Sequence, residues 1–153
     1  MIAVREKVTR GGFLIVVANV SEEKGILSVH TAKQSVSAVM KGEGVRSAII
    51  SVVLVNDARM KRINSQFLHH HGVTDVISFP LETEPNLEAE IYVNVQQAKR
   101  QAKNFGVSVR SEVVRLIVHG ALHTVGYDDR RTKQRKIMFE KQEQYVAEIL
   151  SVG

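Results

Sequence analysis

The clearest chemistry in this sequence lies in one segment, His119-Gly-Ala-Leu-His123-Thr-Val-Gly126-Tyr-Asp128-Asp129. Four residues apart on a helix, His119 and His123 differ by about 40° around the axis and about 6 Å along it. Two imidazoles placed in this way can address a single cation. Gly126 suits the left-handed residue that ends a helix and folds the chain back. Asp129 follows just past that turn, where its carboxylate can supply a third ligand. Three protein ligands leave a coordination position open, which marks a catalytic rather than a structural metal. Two neutral imidazoles and one carboxylate suit Zn²⁺ best, and the same set would accept Mn²⁺, Fe²⁺ or Ni²⁺. A bare pair of histidines at this spacing is equally at home on an ordinary helix. The glycine and the aspartate at their offsets turn the reading toward a metal.

The spacing His-x3-His-x2-Gly-x2-Asp parallels the zinc motif of the metzincins, His-Glu-x-x-His-x-x-Gly-x-x-His, with two substitutions. The missing residue is informative. A metallopeptidase of this pattern carries Glu after the first His, as the base for the attacking water. Here that position is Gly120, which cannot move a proton. Water on a divalent ion, with its pKa near 7, could still attack, and the ion would stabilise charge on a phosphoryl oxygen. That chemistry suits phosphodiester cleavage, in which a ribose 2′-hydroxyl can also be the nucleophile. No side chain is assigned as general acid or base. Arg115, one turn before His119, either holds a phosphate through bidentate hydrogen bonds or is an exposed arginine without a role.

The elements that must position these residues follow from periodicity. Residues 13–18 form a continuous apolar run of strand length. Residues 28–40 place Val29, Ala32, Val36 and Val39 at helical spacing, ending at Gly42. The segment Ser47-Ala-Ile-Ile-Ser-Val-Val-Leu-Val55 reads as a central buried strand. Asn56 and Asp57 can cap a helix on which Met60, Ile63, Asn64 and Phe67 share a face. Next comes a loop with His69, His70 and His71. Residues 74–79 read as a short strand stopped by Pro80, and residues 87–94 alternate as another. Helices are expected over 95–104, 111–125 and 130–150. Strands early and helices late imply an α+β fold, a small mixed sheet of about four strands with a zincin-like metal-site helix.

The chain has 153 residues, 44% apolar and 24% charged, enough for one domain spanning 1–153. A chain of this length can bury roughly 70% of the surface its unfolded form exposes. It contains no Cys, which excludes disulfide scaffolds, thiolate zinc sites and cysteine nucleophiles. The early apolar run is too short for a signal-peptide core or a membrane span, so a cytoplasmic protein is expected. The net charge is +5, a mild bias toward polyanions. Between residues 96 and 136, ten lysines and arginines face three acids, whereas residues 81–90 hold four glutamates and no base. This contrast reflects either solvated helix faces beside an acidic hairpin or a basic surface that serves the site. In the second case Arg115, Arg130 and Arg131 would contact substrate.

Four blocks in order carry a family resemblance: Ile-Ser-Val-Val-Leu-Val55 with Asn56-Asp57; Ile63-Asn64; Thr74-Asp75-Val-Ile-Ser-Phe-Pro80; and His119-Gly-x-Leu-His-x-x-Gly-Tyr-Asp128. From about Ser47 onward the sequence resembles the YbeY family of bacterial metal-dependent endoribonucleases. The resemblance implies a compact α+β fold and a zinc site. It also implies cleavage of single-stranded RNA near the ends of ribosomal RNA precursors and a part in small-subunit assembly, with neither DNA nor a membrane as partner. Three positions depart from the family pattern. The third metal ligand, commonly His, is Asp129, and an anionic ligand should make the ion a weaker Lewis acid. Leu68 stands where the family commonly has Arg. Ala89-Glu90 replaces Gly-Asp. His71 is the candidate to take over the role of the missing arginine at phosphate, the alternative being that the three histidines form a solvated polar loop. Two other functions fit the same residues, a non-catalytic RNA-binding ribosome-assembly factor and a metallopeptidase. The absence of Glu at position 120 weighs against the peptidase.

Overall fold

The structure, a computed structural model, describes residues 12–68 and 74–151. His69, His70 and His71 lie outside the described residues, as does the basic N-terminal stretch. Four strands form one sheet: β1 (Gly12–Asn19), β2 (Ser47–Val55), β3 (Val76–Glu82) and β4 (Leu87–Asn94). Their order is β1-β2-β4-β3, with β1, β2 and β4 parallel and β3 antiparallel to β4. Five α-helices complete the fold: α1 (Val29–Gly42), α2 (Asp57–Ile63), α3 (Val95–Phe105), α4 (Val109–Thr124) and α5 (Thr132–Ser151). The expected α+β class with a mixed four-stranded sheet is what the chain forms.

The local signals act as their chemistry requires. Ser28, Asn56, Asn94 and Ser108 each cap a helix by accepting a backbone N–H of its first turn. β2, parallel to a neighbour on each side, is buried from Ala48 to Val55, which explains its unbroken aliphatic sequence. Two expectations shift. Phe67 lies past α2, in a single π-helical turn, Asn64–Leu68. Pro80 does not stop β3, which runs on to Glu82 with a register shift at Pro80. β3 pairs only with β4, and an edge strand tolerates the missing N–H.

One face of the sheet carries the main core. There Ile50, Val52, Ile91 and Val93 pack beneath Val36, Val39 and Met40 of α1, Ile117, Ala121 and Leu122 of α4, and Met138 of α5. α4 packs against α1, α3, α5, β3 and β4. The opposite face holds a smaller cluster, Val53, Val55, Met60, Ile63, Ile77 and Tyr92, covered by α2. Among the described residues, no helix is long and apolar enough to cross a membrane.

Candidate metal centre

The site sits at the C-terminal end of α4, and position 120 explains how close that helix comes to the sheet. A Cβ built on Gly120 would stand 2.7 Å from Ile91 Cγ2 and 3.0 Å from Ser78 Oγ. The Ser78 hydroxyl donates to the Gly120 carbonyl at 2.9 Å. This position therefore faces β3 and β4, and a glutamate side chain has no room there. The glycine is a packing requirement as well as a missing base.

α4 ends as the sequence predicts. Tyr127 N–H donates to the Leu122 carbonyl at 3.1 Å, and Gly126 N–H to the His123 carbonyl at 3.1 Å. This is the hydrogen-bond pair of a Schellman turn, with Gly126 at φ 108°. The reversal brings Asp129 back over the histidines. His119 Nε2 and His123 Nε2 are 3.1 Å apart. Asp129 Oδ2 lies 3.4 Å from the first and 3.5 Å from the second. The three side chains are partly exposed and together could hold a metal ion.

The surrounding hydrogen bonds set which ring atoms face that space. His119 Nδ1 lies 2.7 Å from Gln142 Oε1, and His123 Nδ1 lies 3.0 Å from the Tyr127 carbonyl. Gln142 Nε2 donates to Glu143 Oε2 at 3.1 Å, which orients the amide so that its oxygen faces His119. Both partners are acceptors, so each ring carries its proton on Nδ1 and presents a bare Nε2. Two nitrogen lone pairs and a carboxylate oxygen then converge with no donor between them, an arrangement that a cation relieves. Donors around a tetrahedral ion with bonds of about 2.05 Å stand roughly 3.3 Å apart, and the three observed separations bracket that spacing. The residues fit a divalent metal.

A tether outside the site holds the turn. The Tyr127 hydroxyl donates to Glu43 Oε1 at 2.6 Å, Tyr145 donates to Glu43 Oε2, and Lys141 Nζ reaches the same oxygen at 3.4 Å. Burial raises the Glu43 pKa, but the two hydroxyls and the ammonium outweigh it and hold the carboxyl below its ordinary value. The same contact pushes the Tyr127 phenol up to about 12. Glu43, the C-cap of α1, thus ties the loop after α4 to the end of α1 and to the middle of α5.

The other expected site residues fare differently. Arg115 neither holds an open phosphate position nor stands free. Its Nε and Nη2 donate to the two Glu143 oxygens at 2.8 and 3.1 Å, and its Nη1 to Glu112 Oε1 at 3.2 Å. Glu143 first, then Glu112, holds the guanidinium pKa above its ordinary value. Arg130 folds back on Asp128, with Nε to Oδ2 at 2.8 Å, and that pairing holds the Asp128 carboxyl down at about 2. Arg131 is exposed and has no ion-pair partner among the described residues. Lys99 and Arg100 pair with Glu23 and Asp57. Four of the ten lysines and arginines over 96–136 are therefore ion-paired among the described residues. A cleft of about 280 Å³ opens beside His119, and Asp75, Glu112 and Gln142 line it.

Sequence reasoning overlooked Gln142 and Glu43. Gln142 had a readable signal, since it interrupts the apolar face of α5 formed by Met138, Tyr145, Val146 and Ile149. Glu43 had none, because its partners lie 84, 98 and 102 positions away.

The chain is similar to known proteins over most of its length. A family model described as endoribonuclease YbeY matches residues 17–150, reaching well before Ser47. A Persephonella marina protein named endoribonuclease YbeY is 32% identical over 125 residues, covering 78% of this chain and 82% of the relative. A Thermotoga petrophila protein of the same name is 35% identical over 132 residues, covering 84% and 85%. A solution structure from Thermotoga maritima superposes with a TM-score of 0.66 at 32% identity, covering 90% of each chain.

Proposed function

The chain belongs to the endoribonuclease YbeY family, and from that membership we propose that it is a zinc-dependent endoribonuclease of single-stranded RNA acting in ribosomal RNA maturation. The whole chain, residues 1–153, works as one domain, in the cytoplasm, on ribosomal RNA precursors of the small subunit. The observation that carries the reading is the convergence of His119 Nε2, His123 Nε2 and Asp129 Oδ2 within 3.5 Å of one another. These three residues would hold the ion. When bound there, zinc acts as a Lewis acid that polarises a phosphoryl oxygen and acidifies water.

The chain's own groups do the positioning. Gln142 and the Tyr127 carbonyl keep both imidazoles turned with Nε2 inward. Asp129 contributes negative charge, which lowers the electrophilicity of the ion below that of an all-histidine set. Gly120 admits no carboxylate base next to the first ligand, which favours phosphodiester over peptide chemistry. In the adjoining cleft Glu112 is ion-paired with Arg115, which leaves no unpaired lysine or arginine among the described residues that line it to hold backbone phosphates. Exposed cations at the start of α5, Arg131 with Lys133 and Lys136, are placed to meet them.

The test compares wild type with His123→Ala and Asp129→Ala on single-stranded RNA, alongside metal content by elemental analysis. About one zinc per wild-type chain is expected, lost in both variants together with cleavage, while RNA affinity stays close to wild type. Cleavage that survives in both variants would reject the reading.

A further inference from the structure

The sheet face opposite the main core carries a cleft of its own. Side chains alternate along β3, so Val76 and Ser78 lie toward α4 while Ile77 and Phe79 join the cluster on the opposite side. α2 and the π-helical turn cover that side only in part. They leave a cleft of about 390 Å³ whose base includes the buried Val53 and Tyr92 and whose rim includes the exposed Arg59, Arg62 and Phe67.

Its composition sets it apart. The chain has only five Phe and three Tyr and no Trp, yet three of these rings meet here. Phe67 stands edge-on to Phe79 with centroids 5.7 Å apart, and Phe79 stands likewise to Tyr92 at 5.7 Å. Phe67 is 47% exposed, so a large apolar ring held against Phe79 still presents about half of its surface to solvent. Arg59 and Arg62, one turn apart on α2, pair with no carboxylate among the described residues. Among the described residues no acid lines the cleft. Glu90 is buried beside Tyr92, and burial together with Glu90 pushes the Tyr92 phenol up to about 12. By contrast, the cleft beside His119 is lined by Asp75 and by Glu112, whose ion pair with Arg115 occupies the arginine there.

An open aromatic ring beside two unpaired guanidinium groups is the combination that binds single-stranded nucleic acid, with bases on rings and phosphates on cations. We propose that this cleft is a nucleotide subsite for the substrate strand, a few nucleotides from the scissile phosphate. One base stacks on Phe67, and Arg59 and Arg62 hold the flanking phosphates. The nucleic-acid strand crosses the edge of β3 that pairs with no other strand among the described residues; β3 presents Ser78 beneath the metal-site helix and Phe79 to this cleft. The inference rests on the endoribonuclease reading for its substrate, but its measurement is binding and does not need turnover.

The experiment is fluorescence anisotropy with a labelled 2′-O-methyl oligoribonucleotide, on wild type, Phe67→Ala, Phe67→Tyr and the double variant Arg59→Ala/Arg62→Ala. All three positions are exposed, and thermal melting checks that each variant folds. Phe67→Ala should weaken binding about tenfold, and Phe67→Tyr should restore it. The arginine pair should lower the slope of log K against log salt by about 1.4. Cleavage of a dinucleotide, too short to span both sites, should not change. Unchanged affinity in Phe67→Ala would overturn the proposal. Displacement by a mononucleotide as effective as by the strand would overturn it in favour of a free-nucleotide site, and displacement by an acidic peptide in favour of a protein partner. Loss of the endoribonuclease reading would appear separately, as cleavage surviving in His123→Ala with this binding pattern intact.

Discussion

Replacing Gln142 with Leu removes the acceptor that orients His119 while keeping much of the bulk of a side chain that is 7% exposed. In the wild-type protein Gln142 Oε1 accepts the His119 Nδ1 proton at 2.7 Å. Without that acceptor His119 can carry its proton on Nε2, directed into the space shared with His123 Nε2 at 3.1 Å and Asp129 Oδ2 at 3.4 Å. Metal binding must then expel that proton or turn the ring. Loss of such a partner lowers metal affinity about 10- to 100-fold, or about 1.4 to 2.7 kcal/mol. Stability without metal should fall by only about 1 kcal/mol, one ordinary hydrogen bond, because His119 is partly exposed and its Nδ1 can turn to water. The assay is competition for zinc against a chromophoric chelator, with urea unfolding of the metal-free protein in parallel. Affinity within about threefold of wild type would refute the tautomer argument. A metal-free stability loss as large as the whole affinity loss would make Gln142 a packing residue only.

Three further outcomes test other parts of the structure. Gly120→Ala should destabilise the protein by about 1–3 kcal/mol by overpacking, since its Cβ would meet Ile91 and Ser78; an unchanged urea midpoint would mean α4 and the sheet can separate without cost. Glu43→Gln should reduce stability at neutral pH but flatten its acid dependence. The folded carboxyl lies below its ordinary value of 4.5, so the stability it contributes is present above that value and lost as pH falls through the folded pKa. Parallel acid unfolding curves for wild type and variant would contradict this. Arg115→Ala should cost about 1.5–3 kcal/mol by stripping charged hydrogen bonds from Glu112 and Glu143 while leaving RNA affinity within about twofold; a large affinity loss in a filter-binding assay would restore a phosphate role.

Local chemistry makes the elements and the ligand trio legible in the amino-acid sequence. Caps such as Ser28 and Asn56, the unbroken aliphatic run of β2 and the helical spacing of His119 and His123 depend on neighbours a few residues away. The Gly126 reversal is likewise written into a short segment, so the approach of Asp129 to the histidines could be anticipated. Arg115 could be read only in part: Glu112 lies one turn before it on the same helix, but the bidentate partner Glu143 comes 28 positions later on a packed helix. Distance in sequence likewise hides the Glu43 tether and the gathering of Phe67, Phe79 and Tyr92 into one cleft. Contacts between distant segments follow from how helices and strands stack, and periodicity carries no information about which polar partner will be waiting on the other side. The sequence by itself determined that a metal could be held and by which three side chains. Tertiary packing alone decided which ring nitrogens face the space shared with Asp129, which arginines are ion-paired, and which rings gather in the cleft on the opposite face of the sheet.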